Sequence, residues 1–208
     1  MIIKANHNFL VFLFFRFYSR WIIRKHFGVI EVESKFREGN LPVLLIANHF
    51  SWWDGFIPFY WNNYYLKRKF HFMMLEEQLK KFAFFKRLGG FSVRKNNRSI
   101  LESVEYAAQL LRDKRNAVLV FPQGRIETSY KTAFNFESGI AKIIRKTTLP
   151  IQILFMANLV DYFSERKPGL FIYIREYSGE KFDIESIQEA YNLFFSQCVS
   201  ANELKSKD

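Results

Sequence analysis

Residues 42–47, Pro42-Val43-Leu44-Leu45-Ile46-Ala47, form an apolar run too short for a helix, which reads as a strand buried on both faces. Residues 70–75, 90–94, 117–121, 150–155 and 170–174 have the same character. Helical spacing fills most of the gaps between them. It is clearest over residues 98–113, where Ile100, Val104, Ala107, Ala108 and Leu111 recur at i, i+3/i+4. Residues 54–66, 76–86, 137–146 and 184–204 also read as helices, with Pro58 tolerated in a first turn. This alternation predicts an α/β domain, a largely parallel sheet flanked by helices on both faces. Residues 28–40 read as a polar connector.

At 208 residues the chain suits one domain with a sizeable core. Its formal charge of +11 calls for an anionic partner, and its 25 Phe and 10 Tyr add stacking surface. Basic and aromatic composition suits single-stranded nucleic acid and a lipid interface equally well, so position must separate them. The single cysteine, Cys198, rules out an internal disulfide, and its amphipathic surroundings make it a small core residue. No Cys/His cluster has zinc spacing.

Position favours lipid. The apolar run Phe9-Leu10-Val11-Phe12-Leu13-Phe14-Phe15 stops at Arg16, far short of the roughly 20 residues a bilayer span needs. It is followed by no small-residue cleavage pattern. Arg16, Arg20 and Arg24 recur every four residues beside Lys25, while Phe12, Phe15, Trp21, Ile22 and Ile23 take other faces. Residues 1–27 are therefore expected to form an amphipathic, membrane-associating helix, with residues 28–208 as the α/β domain. An ordinary helix packed on the domain is the competing reading.

The strand at 42–47 is followed by Asn48-His49, and Asp54 comes five residues after the histidine. The four residues between can curl the carboxylate back onto the imidazole, fixing its tautomer and raising its basicity, which equips it to take a proton from a hydroxyl. A surface His–Asp pair or a helix cap would look the same in isolation. In α/β folds, however, ligands gather at the carboxyl ends of strands. Two further strands end suggestively, one in Val93-Arg94-Lys95 and one in Phe121-Pro122-Gln123-Gly124-Arg125. Taken singly, the first is a solvated charge pair and the second a tight turn; together with Asn48-His49 they assemble a base and several cations on one rim.

These residues resemble the glycerolipid (lysophospholipid) acyltransferase family over about residues 40–156. The family's Asn-His, four residues, then Asp matches Asn48, His49 and Asp54. Its Gly-x-Phe/Ile-Phe-Ile-x-Arg motif corresponds to residues 89–95, with Lys95 at the final Arg. Its Phe-Pro-Glu-Gly-Thr-Arg motif corresponds to residues 121–126, and its apolar-Pro-apolar strand start to Leu149-Pro150-Ile151.

The resemblance implies an acyl-thioester-dependent O-acyltransferase, with His49 as general base and Asp54 orienting it. Asn48, Arg94, Lys95, Phe121, Pro122, Gln123, Gly124 and Arg125 would be substrate-binding. The acyl donor would be acyl-ACP or acyl-CoA as co-substrate, with no metal or organic cofactor. The partners implied are an acyl carrier protein or CoA thioester, a lyso-lipid acceptor such as 1-acylglycerol-3-phosphate, and an anionic membrane surface, with no nucleic acid. The enzyme would sit peripherally on the cytoplasmic face of a membrane, the inner membrane in a bacterium. Two departures bear on the acceptor: Gln123 stands for the usual Glu, and Arg125 lies one place before the usual Arg, where this chain has Ile126. A phosphate-free lipid hydroxyl, as in a lyso-amino-acid lipid or a glycosylated pigment, is the alternative acceptor. A hydrolase using the same pair and a non-catalytic basic membrane-binding module are the alternatives outside the class.

Overall fold

The computed structural model describes residues 1–94, 97–148 and 150–206. In chain order the first elements are α1 (Phe9–His26), β1 (Val29–Lys35), β2 (Val43–Ala47), α2 (Ile57–Trp61), β3 (Lys69–Leu75), α3 (Glu76–Lys81), α4 (Phe84–Arg87) and β4 (Gly90–Val93). There follow α5 (Asn97–Leu110), β5 (Asn116–Val120), α6 (Gly139–Lys146), β6 (Gln152–Asp161), β7 (Gly169–Glu176) and α7 (Ile184–Glu203). The strands form one sheet in the order β1-β7-β6-β2-β5-β3-β4, parallel throughout except between β6 and β7. The expected α/β class, with its largely parallel sheet and N-terminal helix, is the architecture that forms.

The central strand β2 is wholly buried, as its unbroken apolar sequence requires. Its side chains alternate between two cores. Val43, Leu45 and Ala47 face one packed by α1 and α2; Leu44 and Ile46 face another packed by α5, α6 and α7. Cys198 lies in the second core, where burial pushes its thiol up to about 12.

Residues 28–40 are not simply a connector: β1 occupies 29–35 and pairs in parallel with β7, from Val29 opposite Gly169 to Lys35 opposite Arg175. Its Glu31, Glu33 and Lys35 made it look like a loop, yet charges suit a sheet edge, where they deter pairing with another chain. The helix expected over 54–66 is also broken up. A 3-10 turn (Trp52–Gly55) precedes α2, and a π turn (Asn62–Leu66) follows it and ends at Lys67 with φ 58°. Pro58 has no N–H to donate to the carbonyl of Asp54, so an α-helix cannot run through from the aspartate. The helix expected over 76–86 divides into α3 and α4, and β6 runs six residues beyond the expected end at 155 because β7 pairs with it as far as Asp161.

Helix α1 packs on the domain through Phe12, Phe15, Ile22 and Ile23, and exposes Leu10, Phe14, Phe17 and Trp21. The chain before it is strapped along β4 and α4. Ile3 and Ser92 exchange two hydrogen bonds, and Asn6 and Asn8 donate to the carbonyls of Lys86 and Arg87. His7 donates through Nε2 to the Phe70 carbonyl at 2.9 Å and meets His71 edge-on at 4.7 Å. Gly89 makes this approach possible. Its φ is +105°, and a Cβ there would lie 2.0 Å from the Phe70 oxygen.

Candidate active site

His49 leaves the carboxyl end of β2, and the 3-10 turn carries Asp54 back beneath it. Ser51, not Asp54, is the N-cap: its hydroxyl accepts from Trp53 N–H at 3.1 Å, while Asp54, in the third position, accepts from Ser51 N–H at 2.8 Å. The same oxygen, Oδ2, also accepts from Phe50 N–H at 2.6 Å and lies 2.7 Å from His49 Nδ1. A carboxylate oxygen taking two backbone N–H bonds is an acceptor toward the ring as well, so Nδ1 carries the proton and Nε2 presents its lone pair. Asp54 is fully buried and His49 about a quarter exposed, which leaves the ring a way out to substrate.

The third motif builds the seat for this ring. Phe121, just past β5, stacks on the His49 imidazole with centroids 4.3 Å apart and planes at 16°. Gln123 is buried; its Oε1 accepts the His49 N–H at 3.1 Å and its Nε2 lies 3.5 Å from the His49 carbonyl. A glutamate could match the first contact but has no N–H for the second. Pro122 is buried, with its carbonyl accepting from Glu137 N–H, and Gly124 turns the chain with φ +63°.

Asn48 is also buried, and both ends of its amide are taken by the backbone of Asn158 on β6, at 3.0 and 2.8 Å. These side chains, read from the motifs as substrate-binding, thus spend their polar groups on holding His49 and the rim. Asn48, Pro122 and Gln123 are buried and Phe121 is partly buried, so the contacts the structure gives these four are to the protein itself.

Arg94 makes a two-pronged bond to Glu76, Nε–Oε2 2.5 Å and Nη2–Oε1 2.7 Å, and Lys80 joins the same carboxylate. The Arg94 guanidinium holds the Glu76 carboxyl down to about 2. Arg125 is 74 % exposed and meets Glu127 at 3.2 Å, a carboxylate shared with Lys131 at 2.8 Å. Lys95 and Leu149 lie outside the described residues. Of the described motif cations, Arg94 and Arg125 each have a carboxylate partner.

Several supporting residues escaped the sequence reading. Glu127 donates its N–H to the His49 carbonyl at 2.9 Å, and Tyr191 on α7 donates to the Met156 carbonyl at 2.9 Å, two residues from Asn158. The spacing Arg125, Glu127, Lys131 is a signal for the charge cluster, but nothing local marks Asn158, whose contribution is backbone. No group of three or more His, Cys, Asp and Glu among the described residues is placed to hold a metal ion.

A buried carboxylate on Nδ1 leaves the imidazole with Nε2 open at a strand end, an arrangement able to take a proton from a hydroxyl. The family model described as Acyltransferase matches residues 29–156, and the chain belongs to that family. Among solved structures, the 1-acyl-sn-glycerophosphate (LPA) acyltransferase PlsC from Thermotoga maritima is similar to it, with a TM-score of 0.65 and 18 % sequence identity over 95 % of this chain and 80 % of that one. A search of curated proteins finds no significant match. The resemblance read from the motifs is thus borne out at the level of family and fold, and the chain is an acyltransferase.

Proposed function

We propose that the protein moves a fatty acyl group from an acyl thioester, carried by acyl carrier protein or CoA, to a hydroxyl of a lyso-lipid. The observation that carries this is the Asp54–His49 bond, which leaves Nε2 as the open base in a domain of this family. His49 Nε2 takes the hydroxyl proton as the oxygen attacks the thioester carbonyl. The C–S bond then breaks, the acyl ester forms, and the imidazolium returns the proton to the departing thiolate. Asp54 stabilises the imidazolium between these steps. Ser51 caps the 3-10 turn with its hydroxyl, so no acyl-enzyme is invoked.

The test is His49→Ala. Loss of at least ~10²-fold in turnover is expected, because general-base catalysis alone contributes that much. Turnover close to wild type would rule the mechanism out and favour a non-catalytic basic module.

A second reading keeps the chemistry and changes the acceptor. Ile126 replaces the motif's arginine, while Arg94 and Arg125 are engaged by Glu76 and Glu127. This supports a phosphate-free or zwitterionic lyso-lipid beside 1-acylglycerol-3-phosphate.

For location, we read α1 as lying in the membrane interface on the cytoplasmic face. Among the described residues no helix is long and apolar enough to cross a bilayer. The reading rests instead on the arginines of α1 and the apolar side chains it exposes.

A further inference from the structure

The apolar residues of α1 divide into two opposite faces. Phe12, Phe15, Ile22 and Ile23 go inward to the core. Leu10, Phe14, Phe17 and Trp21, spaced i, i+4, i+7 and i+11, form one outward stripe, each more than half exposed. A helix apolar on a second face needs a second apolar neighbour. Arg16, Arg20 and Arg24 run along one border of the stripe, and Lys25 lies on the other, its ammonium 4.8 Å from the Trp21 ring.

A chain of ring contacts, passing through the buried Phe56, leads from this stripe to a second exposed ring. Phe14 stacks on Tyr18 at 5.8 Å, Tyr18 meets Phe56 at 6.0 Å, and Phe56 meets Trp52 at 4.7 Å. Trp52 is 64 % exposed, although it lies between His49 and Asp54 in the turn that builds the dyad. Its neighbour Trp53 is turned inward against Phe27 at 5.0 Å. A large ring is thus held out to solvent by the hydrogen-bonded turn that carries Asp54, and it is joined to the rings of α1 through the buried Phe56.

We propose that Trp52 belongs to the bilayer-facing surface, so that the loop joining His49 to Asp54 itself rests in the interface of an anionic membrane. This extends the reading of α1 as an interfacial helix and rests on it. The occupant is a lipid surface because apolar rings bordered by arginines match acyl chains beneath anionic headgroups, and tryptophan prefers that boundary. Docking then sets the depth of the dyad relative to the lipid that brings the acceptor hydroxyl. The inserted surface is built from both α1 and the catalytic turn, so α1 alone reproduces only part of the binding.

The experiment uses the full chain with mixed phosphatidylcholine–phosphatidylglycerol vesicles. Trp52→Ala is expected to weaken vesicle binding about tenfold, as when one aromatic side chain is withdrawn from apolar surroundings. Trp52→Phe should recover most of that loss. Lipids brominated on their acyl chains should quench less tryptophan fluorescence in Trp52→Phe than in the wild type. Leu193→Ala, which removes a residue 62 % exposed on α7 across the sheet, should change none of these readings.

Vesicle affinity and quenching unchanged in both Trp52 variants would overturn the proposal, even with acyl transfer intact. Self-association of the wild type in solution without vesicle binding would assign the exposed rings to a second copy of the chain and overturn it equally. The proposed function fails by a different result, absence of acyl transfer to any lyso-lipid by the wild type, while the binding and quenching readings still decide the role of Trp52.

Discussion

The Gln123 side-chain carbonyl accepts the backbone N–H of His49 at 3.1 Å, and so ties the end of β5 to the end of β2 where the imidazole departs. The buried amide touches the peptide of the base and not its ring. Gln123→Ala is therefore expected to lower kcat by roughly tenfold through misplacement of the ring, since small displacements of a reacting group cost rate steeply. KM should move little. Steady-state kinetics with one donor and one acceptor check this split, and a rise in KM at constant kcat would make Gln123 a substrate ligand instead.

Asp54 holds three N–H groups on one oxygen. In Asp54→Asn an amide must place either its oxygen or its NH2 there, and only the oxygen side can accept. The charge that stabilises the imidazolium is lost in both cases. Activity should fall by more than ~10²-fold with the melting temperature lowered but cooperative unfolding kept, because general-base assistance is of that size. Near-normal rates in this variant would show that Asp54 serves only to cap the turn.

Arg125 offers the clearest test of the acceptor. With Ile126 at the motif's arginine position, Arg125 and Arg94 are the described cations of the two motifs, and both face carboxylates. The purified enzyme would be offered 1-acylglycerol-3-phosphate and a phosphate-free lyso-lipid in competition. If a phosphate is held here, Arg125→Ala should reduce use of the phosphate-bearing acceptor by about tenfold, the scale of one charge-assisted bond. Preference for the phosphate-free lipid, unchanged by the substitution, removes 1-acylglycerol-3-phosphate from consideration.

The His7–His71 pair makes an acid-sensitive joint between the N-terminal strap and β3. Burial lowers both histidines from an ordinary 6.5, His71 to about 3, with Lys69 adding repulsion and Asp113 partly opposing it at His71. Unfolding lets each protonate, so between about pH 6.5 and 3 the unfolded chain binds more protons and stability falls as pH falls; above 6.5 that contribution is fully present. Denaturant midpoints measured across this window should decline, and His71→Gln should flatten the decline while keeping a donor for Asn116. Glu76 acts lower, its contribution lost from an ordinary 4.5 down toward about 2. A wild-type decline that begins only below 4.5 would assign acid sensitivity to such carboxylates and not to the histidines.

Burial on both faces left the strong marks in the sequence. Residues 43–47 and 117–120 read as apolar runs because helices cover both faces of the sheet there, and His49 and Asp54 were legible because the turn that joins them is local. What stayed hidden depends on distant partners. Strand β1 looks like a loop until β7, some 140 residues later, supplies its ladder. Nothing near Asn48 in the sequence announces that Asn158 takes both ends of its amide. Arg94 reads as a free cation until α3 brings Glu76 against it. The inward and outward apolar faces of α1 could not be separated without the core that one of them meets.

The pairing of β1 with β7 also fixes an order of events during synthesis. Helix α1 and β1 emerge from the ribosome early, yet β1 has no strand to join until Gly169–Glu176 has been made. Contacts so far apart in sequence form late and slowly. Until then β1 remains unpaired at its sheet edge, while α1 and the segment before it can already meet α2, β3, α4 and β4. A nascent chain in that interval carries one sheet edge, along β6, that only a strand still to be made can cover.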